Sequence, residues 1–197
     1  MLNAIIPLTK NEFMRKLYML LLALAFSVAS WAQDANVQII HNSPTPGTDS
    51  GPTVDIYVNG ALLPALTAVP YRAATPFLPV AAGVDVEVAV AVSPSNSVDD
   101  AIATFPLGQL AADENYTVIA NGIVGNMDTP FTLEVNAGAQ QAAGMADMVD
   151  LNIFHGSPDA PNVSVDVRNG GTLVSDLAYG NFTPYVSVAP DSYLLDI

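Results

Sequence analysis

The sequence predicts an all-β protein with a β-sandwich architecture, and three observations carry this prediction. Apolar residues alternate with polar or small ones, as from Val84 to Val92, where every second residue is valine. Segments rich in Gly, Pro, Asn and Ser, which are typical of turns, separate such stretches. The phrase His-x-Ser-Pro occurs twice, at His41 and at His155, and these are the two histidines of the chain.

Seven short strands are expected in the first two thirds of the chain, and their spacing is typical of a β-sandwich. In each of them β-branched or aromatic residues alternate with smaller or polar ones, which predicts one buried face and one exposed face. Residues 137–147 form the only stretch that could be a helix or a linker. The expected strands are 37–41, 53–59, 75–80, 84–92, 100–105, 116–124 and 131–136.

The N-terminal segment has the features of a secretory signal peptide. From Met14 the chain has two basic residues, then an apolar run over 17–29, then small residues before Ala32. We expect cleavage between Ala32 and Gln33, with residues 1–13 as an upstream extension. The apolar run is shorter than the roughly 20 residues that a membrane-spanning helix needs, so we predict export without membrane insertion.

Composition restricts the partners and the mode of attachment. From Gln33 onward, two strong bases stand against eighteen acidic residues, a net charge of −16. Nucleic acid is therefore not an expected partner, because phosphate binding needs clustered Lys and Arg. The chain has no cysteine, so we expect neither disulfides nor the lipid-modified cysteine of a bacterial lipoprotein.

Alignment of the two His-x-Ser-Pro phrases reveals an internal repeat. Matching residues follow in the same order in both copies. The distance along the chain between matching residues decreases twice, by three residues each time, as expected when the second copy has shorter loops. The spacing is 114 residues between His41 and His155, 111 between Asp55 and Asp166, and 108 between Thr75 and Thr183.

The repeat predicts the domain organisation. Residues 33–136 would form the first sandwich, 137–149 a linker, and 150–197 the N-terminal part of a second sandwich. At the spacing of 108, Ile197 matches Ala89, in the middle of the valine-rich strand of the first copy. The second copy would therefore lack its last three strands, and we expect the sequence to be a fragment of a longer one.

These residues resemble the domain of unknown function 4397 family. The phrases that carry the resemblance are "HGSPDAPNVSVDV" in the second copy and "LPVAAGVDVEVAV" and "ENYTVIANGIVG" in the first. The first copy departs from the family by inserting "TPGTDSG" after its own Ser-Pro. The resemblance covers residues 37–197 and implies an exported bacterial protein with repeated immunoglobulin-like or similar β-sandwiches. It implies no established biochemical activity.

The motif histidines are expected to be structural. Each ends a row of inward-facing residues and precedes a Ser-Pro turn, which its ring could fix by hydrogen bonds to the backbone or to the Ser. A metal ligand or a general base is the alternative, but the partner aspartates alternate with buried-type residues and would face outward. The motif residues are His41, Ser43, Pro44, Asp55, His155, Ser157, Pro158 and Asp166.

Three functions are compatible with the sequence. The first is a non-enzymatic module of a secreted or cell-surface protein with a structural or adhesive role, which needs no cofactor and could contact a cell-surface protein or a glycan. The second is a module that binds carbohydrate or a divalent cation, with aromatic contacts from Tyr57, Tyr71, Tyr179 and Tyr185. The third is an enzyme using His41 or His155, although the sequence has no nucleophilic Cys, no G-x-S-x-G, no H-E-x-x-H and no Gly-rich phosphate loop.

Overall fold

The protein is all-β, as the sequence predicts. The structure is a computed structural model that describes residues 33–48 and 50–197, so the predicted signal peptide lies outside the described residues. Gln33 to Ile197 form one compact unit. Its strands are β1 (Asp34–His41), β2 (Val54–Val58), β3 (Ala61–Leu62), β4 (Leu78–Ala81), β5 (Asp85–Val92), β6 (Ala101–Gln109), β7 (Asn115–Asn121), β8 (Thr132–Ala137), β9 (Val149–Leu151), β10 (Val163–Val167), β11 (Thr172–Leu177), β12 (Val186–Val188) and β13 (Leu195–Asp196).

Two four-stranded sheets form a β-sandwich in the first part of the unit. Sheet A has the strand order β4-β1-β7-β8, and sheet B has the order β3-β2-β5-β6. Strand β1 pairs with β7 in parallel and with β4 in antiparallel orientation. Alternate residues of both sheets point inward and form the main core, whose members include Val37, Ile39, Val54, Ile56, Val86, Val88, Val90 and Val118.

The valine-rich strand shows why this part of the sequence folds as it does. Val86, Val88 and Val90 of β5 are at most 3% exposed and lie in the core between the sheets. The alternating residues Ala89 and Ala91 are also buried, in a small second cluster on the other face of sheet B. Val98 and Ala101 pack against these small residues, so β5 is buried on both faces from Val88 to Ala91.

The second part of the unit repeats some of the strand pairings of the first. Strands β9 and β12 form an antiparallel pair, and β11-β10-β13 form a three-stranded sheet. Strands β9 and β12 pair in the same register as β1 and β4 when residues of the two parts are matched at the spacings of 114 and 108. The matching pairs are Ala35–Val80 with Val149–Val188, and Ile40–Ala74 with Phe154–Phe182.

The second part packs on the outer face of sheet A. Ile119 is 4% exposed, although it points to the opposite side of β7 from the core residue Val118. A crevice beside it is lined by Ile40, Phe154 and Phe182, which places aromatic residues of the second part against sheet A.

Residues 138–148, between the parts, form turns with neither helix nor strand. The division into tandem immunoglobulin-like domains stays a prediction.

Among the described residues, no helix has the length and apolarity that crossing a bilayer requires.

Candidate functional site

His41 ends strand β1 inside the sandwich, in line with Val37 and Ile39. Its side chain is 2% exposed. Nε2 lies 2.8 Å from the carbonyl oxygen of Pro52, and the amide of Ser43 lies 3.4 Å from Nδ1. Because the Ser43 N–H can only donate, Nδ1 is the acceptor and Nε2 carries the proton that is donated to Pro52. The ring is therefore neutral and bonded at both nitrogens.

His155 makes the same contacts in the second motif. Its Nε2 lies 2.9 Å from the carbonyl oxygen of Pro161, and the amide of Ser157 lies 3.4 Å from its Nδ1. The side chain is 5% exposed. Both histidines thus hold the turn that follows them against the proline that precedes the next strand.

An aromatic residue packs against each histidine from a returning segment. Tyr71 contacts His41 edge to face with ring centroids 5.8 Å apart, and Tyr179 contacts His155 in the same way at 6.0 Å. The amide that follows each Tyr donates to the carbonyl oxygen of the His, at 2.8 Å in both copies. The motif therefore ties three segments together: the end of a strand, the loop after it and the returning Tyr segment.

Burial sets the protonation state of His41. Desolvation lowers the pKa of its imidazole below the usual 6.5, and the hydrogen bond to Pro52 offsets part of this effect. Protonation would also place an N–H on Nδ1, facing the Ser43 amide. The folded protein consequently favours the neutral ring.

Asp55 lies on the opposite face of β2 from Val54 and Ile56, yet it is only 2% exposed. Its carboxylate accepts hydrogen bonds from the amide of Ala68 at 2.8 Å, and from the amide and hydroxyl of Ser95 at 2.8 and 2.7 Å. Burial by itself would raise the pKa of Asp55, but these hydrogen bonds outweigh it and lower the pKa to about 2. Asp55 is thus a structural link between two loops and β2.

Asp166, the matching residue of the second motif, is half-buried. Its carboxylate accepts a hydrogen bond from the hydroxyl of Thr172. The structure therefore brings neither motif His into a shared site with its motif Asp. Within the residues that the structure describes, no group of three or more His, Cys, Asp or Glu side chains is placed to hold a metal ion.

The motif serines differ in their surroundings. Ser43 is 3% exposed, and its hydroxyl donates to the carbonyl oxygen of Gly122 at 2.6 Å, which ties the first motif to the end of β7. The Ser157 hydroxyl instead donates to the carboxylate of Asp159 at 3.3 Å, at the surface.

Three of the four tyrosines predicted as ligand contacts are engaged within the fold. Tyr57 is 4% exposed and its hydroxyl lies 2.7 Å from that of Ser95. The hydroxyl of Tyr185 accepts a hydrogen bond from the amide of Gln140 at 2.7 Å. Burial raises the pKa of Tyr179, whose hydroxyl is buried with no hydrogen-bond partner among the described residues.

The two motifs meet at a cleft of about 680 Å³, which we call the motif cleft. The side-chain amide of Asn42, the variable residue of the first motif, donates to the carbonyl oxygen of Gly156, the variable residue of the second, at 2.8 Å. The sequence did not predict this contact, since a repeat indicates two similar units but not which of their faces meet. The lining includes Asn42, Pro44, Tyr71, Arg72, Phe154 and Asp159.

Comparison with known proteins supports the resemblance seen in the motifs. A family model described as a domain of unknown function, DUF4397, matches residues 35–166 and again residues 149–197. No curated protein and no solved structure matches the chain. Since the matched residues cover most of its length, the chain belongs to the domain of unknown function 4397 family.

Proposed function

We propose that this chain is a non-enzymatic module of a secreted or cell-surface bacterial protein, with a structural or adhesive role. The observation that carries the proposal is the repeated bonding of the histidines. His41 and His155 each donate through Nε2 to a carbonyl oxygen of the loop that follows, and each accepts through Nδ1 from the amide of the motif Ser. The two histidines therefore stabilise the turns that follow them.

The same geometry speaks against a catalytic role for the histidines. A general base needs a free ring nitrogen within hydrogen-bond reach of a substrate proton. Both nitrogens of His41 and of His155 are engaged, and the two side chains are 2% and 5% exposed. Asp55 does not orient either ring as a catalytic aspartate would, because its carboxylate accepts from Ala68 and Ser95 and both nitrogens of each ring bond to other residues.

Export is supported by the sequence alone. Residues 14–32 have the charge, the apolar run and the small residues of a signal peptide. The high negative charge that remains from Gln33 onward favours solubility outside the cell. The absence of cysteine supports release, or attachment by means other than a lipid.

The second candidate is a module that binds a ligand, and the motif cleft favours carbohydrate over a cation. Calcium needs six or more oxygen ligands. The acidic pair Asp99 and Asp100 instead lies in a short 3-10 helix that is capped by Ser97, and Asp100 accepts hydrogen bonds from the amides of Asn96 and Ser97. The cleft, in contrast, combines apolar and polar side chains in a volume suited to a small molecule.

Fractionation of a bacterial host that expresses the full sequence tests the proposed export. We expect the protein outside the cytoplasm with Gln33 as its first residue, as determined by N-terminal sequencing. A variant with Leu21→Asp and Leu22→Asp, which interrupts the apolar run, should stay in the cytoplasm at full length. Equal export of both forms, or a cytoplasmic wild type, would contradict the proposal.

Calorimetry with CaCl₂ separates the structural role from cation binding. The proposal predicts no saturable heat and an unchanged melting temperature at millimolar Ca²⁺. A stoichiometric binding isotherm would instead support the cation-binding alternative.

A further inference from the structure

We propose that the motif cleft binds a short saccharide that carries a single carboxylate, and that Arg72 receives this carboxylate. The inference rests on the second candidate function and names its ligand class and the residue that selects the ligand. Of the four tyrosines that the sequence offered as ligand contacts, Tyr71 is the one that lines this cleft.

The lining of the cleft suits a sugar. Its volume of about 680 Å³ lies in the range of roughly 300–1,000 Å³ that is typical of small-molecule sites. Tyr71 and Phe154 offer apolar surface, against which the C–H face of a sugar ring can pack. The Thr45 hydroxyl can donate to or accept from sugar hydroxyls, and the side-chain oxygens of Asn42 and Ser157 can accept from them.

Arg72 gives the cleft its charge preference. The described part of the chain holds two arginines and no lysine, and Arg168 forms an ion pair with Asp196. Arg72 forms no ion pair with a described residue; its guanidinium lies over the ring of Tyr71, 5.1 Å from the centroid. In a chain of net charge −14, an arginine without a described acidic partner at the wall of a cleft is a site for an external carboxylate.

The backbone holds Arg72 in an unfavourable conformation. Its φ is 64°, in the left-handed region that glycine adopts readily and other residues adopt at a cost. The amide of Arg72 donates to the carbonyl oxygen of His41 at 2.8 Å, so the first motif fixes this conformation. Glycine at this position would relieve the strain and remove the guanidinium.

Asp159 restricts the ligand further. It lines the cleft from the second motif and would repel a carboxylate while accepting hydrogen bonds from sugar hydroxyls. An acidic saccharide therefore has one favourable orientation, with its carboxylate toward Arg72. The overall negative charge disfavours polymers with many carboxylates, which is why we propose a short ligand with one.

Calorimetric titration with cellobiouronic acid, which has one carboxylate, and with neutral cellobiose tests the proposal on the full mature chain. We expect the acidic disaccharide to bind more tightly than the neutral one, and less tightly as salt rises. Arg72→Ala should weaken the acidic disaccharide about tenfold or more, as expected for loss of a charge-assisted hydrogen bond, and leave cellobiose unchanged. Arg168→Ala, with the same change in charge, should change neither affinity by more than about twofold.

A second variant keeps the test independent of folding. Arg72→Gly relieves the left-handed strain, so its melting temperature should not fall while its binding of the acidic disaccharide is lost. Equal binding of the two disaccharides, binding of neither, or equal losses in Arg72→Ala and Arg168→Ala would overturn the proposal. None of these results bears on export, which the fractionation experiment decides separately.

Discussion

Two regions of the molecule contain the same motif in different frameworks. In residues 33–137 the motif follows a strand of a sandwich that has two four-stranded sheets. In residues 149–197 it follows β9, which forms a two-stranded sheet with β12. The histidines are nevertheless bonded alike, with Nε2 distances of 2.8 and 2.9 Å and Nδ1 distances of 3.4 Å in both. The motif therefore depends on its neighbouring segments and not on the size of the sheet behind it.

The motif aspartates, unlike the histidines, have different hydrogen-bond partners in the two regions. Asp55 bonds to Ala68 and to Ser95, which follows β5. Asp166 instead accepts from the hydroxyl of Thr172, six residues further along the chain. Contacts within the motif are thus shared by both regions, while contacts that need a more distant loop occur in the first alone.

Limited proteolysis should reveal the largest difference between the regions. In residues 150–197 only His155, Val165 and Leu177 are buried, whereas the first region has an extended core. Since local opening is easiest where little apolar surface is buried, we expect cleavage after Asp150 well before any cleavage within 33–136. Mass spectrometry of a digestion time course measures this. Equal resistance would mean that the second region completes the first and that the tandem interpretation is wrong.

His41→Ala should lower the melting temperature by several degrees. It removes two buried hydrogen bonds, which cost about 1–3 kcal/mol of unfolding free energy. His155→Ala breaks the same bonds in a region with a smaller core, so it should speed proteolysis after Asp150 and change the main melting transition less. Circular dichroism melts of both variants check this. An unchanged melt for His41→Ala would contradict the structural interpretation of the motif.

The sequence predicted the all-β fold because the periodicity of a strand is a signal within a few residues. Alternating valines placed β5 correctly, and the spacings between the two motifs match the register that β1–β4 and β9–β12 share. Alternation also put Asp55 on the face away from the core, but could not indicate that a distant loop covers that face. The motif cleft was missed for the same reason, as the contact between Asn42 and Gly156 joins residues 114 apart.

Asp55→Asn and Asp166→Asn test whether the hydrogen bonds from Ser95 make Asp55 more important for stability than Asp166. The amide that replaces one oxygen of Asp55 cannot accept from the Ser95 N–H, so we expect a loss of about 1–3 kcal/mol in unfolding free energy. Asp166→Asn should stay within about 0.5 kcal/mol of the wild type, because this side chain is half-buried. Urea unfolding curves measure both. Equal losses would show that Asp55 has no special role.

Gly156→Ala should loosen the contact between the two regions. A Cβ at this position would collide with the side-chain amide of Asn42 and with the ring of Phe154. The backbone itself accepts alanine, because its φ is not positive. We expect a loss of about 1 kcal/mol and faster hydrogen exchange over 150–197. Gly171→Ala is the matched control, since its Cβ would meet no atom within 4 Å. Similar exchange in the two variants would mean that Asn42 does not hold the regions together.

The smallest expected effect is a dependence of stability on pH through His41. Because burial lowers the pKa of His41 in the folded protein, the unfolded chain binds the proton more readily. The contribution of His41 is therefore complete above about pH 6.5 and is lost as pH falls from there toward the lowered folded pKa, with a slope of at most about 1.4 kcal/mol per pH unit. Asp55, with a pKa of about 2, stays ionised throughout this range and adds no slope.

Urea unfolding at pH 7.5, 6.5 and 5.5 should show this decline in the wild type and a shallower one in His41→Gln, whose side chain does not titrate. Parallel pH profiles for the two proteins would assign the decline to other groups and remove His41 as its cause.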